Sequence, residues 1–155
     1  MKKTNAARIL DRLKIHYELI EYVVDESDLS AIHLAETAGI PIIQVYKTLV
    51  LEGDKNGYIV CIIPGGEEID LKKAAIASSN KKVAMLKLKE LEPLTGYIRG
   101  GCSPLGMKKP FPVFIDESAF DHALIYISAG VRGMQLRLSP TDLLIACNAK
   151  KRAIT

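Results

Sequence analysis

The sequence predicts a single α+β domain over residues 1–155, in which helices pack against a curved, mixed and mostly antiparallel sheet. Segments rich in β-forming residues interleave with helical segments along the chain, but hairpins outnumber β–α–β units. The length of 155 residues fits one domain, and the sequence contains no internal repeat, linker or low-complexity stretch.

The chain is predicted to begin with a helix, a strand and a second helix. Residues 5–14 place apolar side chains at helical spacing, whereas residues 17–24 are rich in β-forming types. Residues 30–38 form the second predicted helix. The residues expected to cap or end these helices are Thr4 or Asn5, Ser30 and Gly39.

A β-hairpin is predicted near the centre of the chain. Residues 45–51 and 58–63 are both rich in β-forming types, and the polar segment 53–57 with a glycine at each end joins them. The elements expected next are a helix at 69–78, a short strand at 83–86 and a helical turn at 88–92, before Pro93.

The last third of the chain begins with an irregular segment. Residues 96–109 contain four glycines, one proline and two lysines, so no regular element can run through all of them. Strands are predicted at 113–116, 124–128 and 135–138. The final helix ends at Cys147, with Ser139 as its cap and Pro140 at its first position.

Composition favours a cytoplasmic protein without a metal or other cofactor. Cys61, Cys102 and Cys147 are odd in number and widely spaced, and no CxxC motif or metal-ligand spacing to histidine occurs. No apolar run reaches the roughly 20 residues that span a bilayer, so no membrane partner is expected. The net charge of +3 permits an RNA partner but does not require one.

Lys47 is the strongest single candidate for a functional residue. It lies in a segment that is otherwise nearly all apolar, and strand alternation puts it on the same face as Leu49 and Leu51, opposite Tyr46 and Thr48. Burying a lysine is costly unless the charge is paired, so a functional role is one interpretation. The alternative is that Lys47 lies at the strand end and extends its ammonium group to water.

Glycine-rich segments supply the other candidates. Gly100 and Gly101 can bring the backbone close to a ligand, or can simply form a turn. Cys102 follows them, but a cysteine nucleophile needs a nearby base and no histidine is close in sequence. Ser128 begins another flexible turn. No pair of carboxylates stands out, so these residues predict a pocket without specifying its reaction.

Four segments together resemble the YbaK/EbsC family of Cys-tRNA(Pro) and Cys-tRNA(Cys) deacylases. They occur in the order 45–49 (VYKTL), 70–73 (DLKK), 96–109 (GYIRGGCSPLGMKK) and 126–133 (YISAGVRG). The resemblance extends over almost the whole chain, and segment 96–109 is its most specific part. It implies the fold of the editing domain found in some prolyl-tRNA synthetases, and a hydrolase that removes wrongly attached cysteine from tRNA in trans.

The resemblance also assigns roles to residues. The family's essential lysine falls on Lys47, which would hold the ester and stabilise its developing oxyanion. The implied substrate-binding residues are Tyr22, Thr48, Gly100, Gly101 and Ser128. Contacts to tRNA phosphates are expected from Lys72, Lys73, Lys108 and Lys109. Because so small a protein cannot read a whole tRNA, prolyl-tRNA synthetase is an expected partner.

The chain departs from the best-known branch of the family at two positions. A phenylalanine expected shortly after Tyr22 is absent, and Leu29 or Ser30 occupies that stretch. An aspartate expected after the turn formed by Arg132 is replaced by Gln135. Both differences concern the choice of amino acid rather than the class of reaction.

The implied mechanism uses the thiol of the substrate as the nucleophile. Cysteine and proline have similar volumes, and a pocket separates side chains that differ by one methylene by only about 10–200-fold. The family is thought to let the cysteinyl thiol attack its own ester, which agrees with the lack of a nucleophile–base pair in this sequence. Two alternatives are a non-catalytic module that binds aminoacyl-tRNA or RNA, and a Cys102-dependent hydrolase unrelated to tRNA.

Overall fold

A computed structural model describes residues 3–155 and has the predicted α+β architecture. The helices are α1 (Asn5–Arg12), α2 (Ala31–Ala38), α3 (Leu71–Ala77), α4 (Leu88–Thr95) and α5 (Pro140–Cys147). The strands are β1 (Glu18–Glu21), β2 (Tyr46–Gly53), β3 (Tyr58–Pro64), β4 (Val83–Met85), β5 (Val113–Asp116), β6 (Ile125–Ser128), β7 (Met134–Leu138) and β8 (Lys150–Arg152). Short 3-10 helices occupy Ile42–Gln44 and Glu117–Asp121.

The strands form two sheets rather than one continuous sheet. One sheet has the order β1-β7-β6, and the other has the order β4-β2-β3-β5-β8. An isolated parallel bridge between Val45 and Tyr126 joins the first sheet to the beginning of β2. Pairing is mostly antiparallel, as predicted, and only the β3–β5 and β5–β8 pairs are parallel.

Apolar side chains pack on both faces of β2, which explains the alternation in its sequence. Tyr46 and Val50 belong to the main core, together with α1, α5 and the inner faces of β6 and β7. Leu51 packs on the opposite face against a second apolar cluster that includes α3. Helix α2 covers Val45 and Tyr126, where the two sheets meet. The predicted division of β2 into two faces is therefore confirmed.

Two parts of the fold differ from the prediction. Residues 150–152 were expected to be only surface charge, but they form β8, an exposed edge strand beside β5. Helix α4 passes through Pro93, where a helical turn was expected to stop. Its last turn is held by the Gly96 amide, which donates to the Glu92 carbonyl at 2.8 Å, and by the Thr95 hydroxyl, which donates to the Leu91 carbonyl at 2.8 Å.

Local signals in the sequence account for most helix boundaries. The side chains of Thr4, Ser30 and Ser139 accept hydrogen bonds from the first turns of α1, α2 and α5. Gly39 ends α2 in the left-handed conformation. Within residues 3–155, no helix is both long enough and apolar enough to cross a membrane.

Candidate active site

A cavity of about 550 Å³ opens where the two sheets separate. Its walls come from β2, the segment that leads into α2, the β4–α4 segment, the loop around Gly100 and the adjoining ends of β6 and β7. The cavity therefore collects residues from most of the chain rather than from one motif.

The pairing of β2 creates this opening. On one edge β2 pairs with β3 along its whole length. On the other edge, the Val45–Tyr126 bridge precedes β2 and the β4 ladder begins only at Leu51. Residues 46–49 consequently lack a strand partner on that second edge, and the cavity lies against them.

Three polar residues follow one another across the floor of the cavity. Two residues beyond the parallel Val45–Tyr126 bridge, Lys47 and Ser128 project from the same face, because side chains alternate along both strands. Ser128 pairs directly with Gln135 across the β6–β7 ladder. Lys47, Ser128 and Gln135, termed the polar row, all line the cavity.

Lys47 is a half-buried cation in the cavity. Burial lowers the pKa of its ammonium group from the ordinary value of 10.5, while the nearby carboxylate of Glu68 opposes this effect. Lys47 forms no salt bridge with any carboxylate of residues 3–155. Although it is only the second residue of β2, its ammonium group is therefore available to an anionic group in the cavity.

The hydroxyl groups near Lys47 have different surroundings. Ser128 Oγ accepts a hydrogen bond from the Gly130 amide at 3.1 Å, which leaves its own hydrogen free to donate to a ligand. Thr48 also lines the cavity, but strand alternation turns its side chain to the opposite face of β2. Its buried hydroxyl oxygen has no hydrogen-bond partner in the described part of the chain.

The two glycines of the Gly100 loop have different roles. Gly100 lines the cavity with φ +84°, and a Cβ there would lie 3.4 Å from both Leu29 Cδ2 and Arg132 Nε. Arg132 Nε in turn donates to the Arg99 carbonyl at 2.8 Å. Gly101 is buried outside the cavity lining, and its amide donates to the Ile98 carbonyl at 2.9 Å. The expected substrate contact from Gly101 is thus corrected to a packing role.

Tyr22 lies beside the main cavity rather than in it. It lines a small cleft that shares Leu29, Ser30, Leu34 and Gly100 with the larger cavity. The tyrosine is in the segment between β1 and α2, and its amide donates to the Gly133 carbonyl at 3.0 Å. Its side chain therefore borders the wall formed by Leu29, at a distance from the polar row.

The four lysines proposed as phosphate contacts are exposed and lie outside the cavity lining. Lys72 and Lys73 begin α3, and Lys73 Nζ donates to the Thr155 carbonyl oxygen at 2.7 Å. Lys108 Nζ approaches the Pro93 carbonyl at 3.4 Å, and Lys109 lines a second cavity of about 570 Å³. The structure therefore separates these charges from the site where an ester would bind.

Cys102 lines the cavity but has the wrong surroundings for a nucleophile. Burial raises the pKa of its thiol to about 12, so the thiolate is scarce at neutral pH. Of the described residues, no histidine, aspartate or glutamate lines the cavity to act as its base. The Cys–His alternative therefore lacks both an ionised thiol and a partner.

Sequence reasoning missed two features of the cavity. Arg99 adds a second cation to the lining, and its position directly before Gly100 was the only signal for it. An apolar wall comes from the β4–α4 segment, where Met85 is 48% exposed and Leu88 is 60% exposed. Apolar side chains left exposed beside a cavity suit the flat face of a bound ligand.

The arrangement has the chemistry of an electrostatic binding site. Lys47 and Arg99 can hold anionic groups and stabilise an oxyanion, while Ser128 and Gln135 can orient a polar ligand. Residues 3–155 contain no group of three or more histidine, cysteine, aspartate or glutamate side chains that could hold a metal ion. The walls thus offer charge and positioning rather than a general base.

Sequence comparisons relate the chain to proteins that edit tRNA. A family model described as an aminoacyl-tRNA editing domain matches residues 25–145. EbsC of Enterococcus faecalis (strain ATCC 700802 / V583) is 50% identical over 154 residues, which cover 99% of this chain and 94% of EbsC. For EbsC, a Cys-tRNA(Pro)/Cys-tRNA(Cys) deacylase activity has been suggested.

Solved structures show the same fold. A crystal structure described as a suggested trans-editing enzyme for prolyl-tRNA synthetase matches with a TM-score of 0.83 at 24% identity, covering 100% of this chain and 99% of that one. A crystal structure of a hypothetical protein matches with a TM-score of 0.88 at 18% identity, covering 97% and 99% of the two chains. At these identities the likeness concerns the fold alone.

Proposed function

This chain belongs to the aminoacyl-tRNA editing domain family, and on that premise we propose that it removes cysteine from mischarged Cys-tRNA(Pro) and also from Cys-tRNA(Cys). The resemblance to the YbaK/EbsC family is confirmed by the family match and by the 50% identity to EbsC. The chain is an aminoacyl-tRNA deacylase, so a non-catalytic module is the weaker interpretation. Its choice of cysteine rests on the suggested activity of EbsC.

The observation that carries the mechanism is a cavity with cations but without a nucleophile–base pair. Among the described residues, the lining includes Lys47 and Arg99 but no carboxylate or histidine, and the thiol of Cys102 stays protonated. The nucleophile must therefore come from outside the walls. We infer that the thiol of the cysteinyl group supplies it, since a free thiol with a pKa near 8.5 ionises far more readily than a hydroxyl.

In the proposed reaction the substrate sulfur attacks its own ester carbonyl. A carbon–sulfur bond forms, the carbon–oxygen bond to the terminal ribose breaks, and the thiol proton ends on the ribose hydroxyl. Water then opens the cyclic thioester to release free cysteine. Lys47 stabilises the oxyanion, and correct orientation of the thiol alone can contribute roughly 7–11 kcal/mol.

A panel of charged tRNAs tests the proposed substrate. Cysteinyl-, alanyl- and prolyl-tRNA(Pro), together with cysteinyl-tRNA(Cys), are incubated with the protein, and the remaining ester is measured over time. Rapid loss of the cysteinyl ester only from the first and last of these supports the proposal. Preferential loss of alanine would assign the enzyme to another amino acid while leaving it a deacylase.

The choice of tRNA requires contacts beyond the cavity. We propose that the exposed lysines at 72, 73, 108 and 109 contact tRNA phosphates, and that prolyl-tRNA synthetase presents the mischarged tRNA. A 17.0 kDa protein covers only a small part of a tRNA, so a synthetase partner would supply the missing selectivity. This partnership places the enzyme in the cytoplasm, where tRNA is charged.

A further inference from the structure

Gln135 occupies one end of the polar row on the floor of the cavity. In β7 it pairs with Ser128 on one side and with Ile20 of β1 on the other. Its neighbour Leu136 points into the main core, so strand alternation directs Gln135 to the opposite face, where it lines the cavity. The side chain is only 3% exposed.

The carboxamide of Gln135 is left without a satisfied acceptor. Within residues 3–155, Gln135 Oε1 is buried and has no hydrogen-bond partner. Buried polar atoms are almost always paired, because an unpaired one destabilises the fold. An apolar side chain of the same length would avoid this cost. The unpaired oxygen therefore points to a ligand that supplies the missing hydrogen bond.

The charges of the cavity restrict what that ligand group can be. An amide oxygen accepts hydrogen bonds, so its partner must be a donor. Lys47 stands at the other end of the polar row, two strands away, or roughly 10 Å between backbones. On the proposed function, Lys47 holds the ester carbonyl, and the amino acid extends from that carbonyl along the row. The donor next to an ester carbonyl in every aminoacyl ester except the prolyl one is a primary α-amino group.

We propose that the Gln135 carboxamide oxygen accepts a hydrogen bond from the α-amino group of the aminoacyl ester. Resting on the proposed function, this inference makes Gln135 a specificity residue that fixes the direction of the amino-acid side chain. With the carbonyl at Lys47 and the amino group at Gln135, the configuration of the α-carbon determines where the side chain points. Esters that lack an α-amino group bind without this anchor.

The test combines a change in the protein with a change in the substrate. Gln135→Met preserves the length of the side chain and removes its hydrogen-bonding groups. The substrates are cysteinyl-tRNA(Pro) and 3-mercaptopropionyl-tRNA(Pro), which differ only in the α-amino group. We expect Gln135→Met to lower kcat/KM at least roughly ten-fold for cysteinyl-tRNA, the effect of losing one buried hydrogen bond. It should barely change kcat/KM for the mercaptopropionyl ester.

Two further readouts separate recognition from a structural role. The thermal midpoint of Gln135→Met should equal or exceed that of the parent, because the variant removes an unpaired buried oxygen. Gln135→Glu, which keeps an acceptor at the same place, should recover most of the activity lost in Gln135→Met. A lowered midpoint with equal losses on both esters would show that Gln135 only supports the fold.

The parent protein distinguishes failure of this inference from failure of the proposed function. If the parent cleaves cysteinyl-tRNA but Gln135→Met affects both esters equally or neither ester, Gln135 does not bind the amino group. If the parent leaves cysteinyl-tRNA intact, the proposed substrate is wrong. The same comparison is then made with the ester that the parent does cleave and its analogue without the α-amino group.

Discussion

At the scale of single residues, Lys47 carries the most specific expectation. Lys47→Ala should abolish deacylation, because the cavity loses the cation that stabilises the oxyanion. The fold should survive, since Lys47 forms no salt bridge within residues 3–155 and burial already disfavours its charge. Rates of ester loss from cysteinyl-tRNA and the thermal midpoint, measured on the same preparation, test both statements.

Two variants sharpen this experiment. Lys47→Arg should also be poor, because a planar guanidinium does not replace a compact ammonium group in a confined site. Lys55→Ala removes an exposed lysine from the β2–β3 turn and should behave like the parent. Parental activity in Lys47→Ala would show that the ester binds elsewhere.

The source of the nucleophile is a second prediction at this scale. Seryl-tRNA(Pro) is nearly isosteric with cysteinyl-tRNA(Pro), but its hydroxyl is a far weaker nucleophile at neutral pH. The enzyme should therefore bind it and cleave it much more slowly in single-turnover assays. Cys102→Ala should stay within a few-fold of the parent on the cysteinyl ester, because burial keeps the Cys102 thiol protonated.

These two results are interpreted together. Rapid cleavage of the seryl ester would mean that water or a protein group attacks the carbonyl. Loss of activity in Cys102→Ala, with an unchanged thermal midpoint, would identify that thiol as the attacking group. Either result would replace the mechanism proposed for this cavity.

At the scale of elements, Gly100 links backbone conformation to the site. Gly100→Ala should lose about 1–2 kcal/mol of stability, because φ is +84° and an L-residue is strained there. The added Cβ would also press on Leu29 and Arg132 at 3.4 Å, which should displace the cavity wall and reduce deacylation. Denaturant unfolding and the rate of cysteinyl-tRNA cleavage measure the two effects.

Gly57 provides a matched control for this substitution. Its φ is +70° and a Cβ there would have no atom within 4 Å, so Gly57→Ala has a similar strain without the contact. It should lose comparable stability and keep the parental rate of deacylation. Equal activity in the two variants would mean that the Gly100 loop does not shape the ester site.

The elements also show which parts of the structure the sequence could predict. Strands of alternating pattern and helices with side-chain caps were predicted correctly, because those signals are local. The polar row was not predicted as a unit. Lys47 and Ser128 come together through one parallel bridge, and Gln135 joins them through the β6–β7 register. Such pairings connect residues far apart in sequence, so no local pattern reports them.

Sequence similarity could point to positions in the site without giving their contacts. Gly101 and Gly100 are adjacent in the same motif, but a hydrogen bond to Ile98 occupies the Gly101 amide, while Gly100 lines the cavity. Tyr22 similarly falls behind the wall formed by Leu29. Gln135 looked like a simple departure from the family pattern, and only its burial and its unpaired oxygen give it a role.

At the scale of the whole molecule, the separation of two sheets creates the cavity, and the lysines of its surface lie elsewhere. This division suggests two independent contributions, ester recognition inside and phosphate binding outside. Because phosphate contacts release counterions, each one should add to the slope of log affinity against log salt. Changes to the exposed lysines should therefore alter tRNA binding and its salt dependence without affecting the cavity.

The last prediction tests this division. Changing Lys72, Lys73, Lys108 and Lys109 to glutamine should weaken tRNA binding and flatten its salt dependence, with a slope reduced by roughly 0.9 per lost contact to double-stranded RNA or DNA-like phosphates. Binding of uncharged tRNA is measured by fluorescence anisotropy across a salt series, and cleavage is measured at saturating cysteinyl-tRNA.

Saturated cleavage should stay near the parental rate, because none of the four lysines lines the cavity. A control with Lys55, Lys81 and Lys82 changed to glutamine removes exposed charge near the β2–β3 turn and should keep the parental slope. If the two sets flatten the slope equally, tRNA is held by the overall positive field of the protein. If neither set changes it, the tRNA face lies on other basic residues, of which the exposed edge strand β8 offers three.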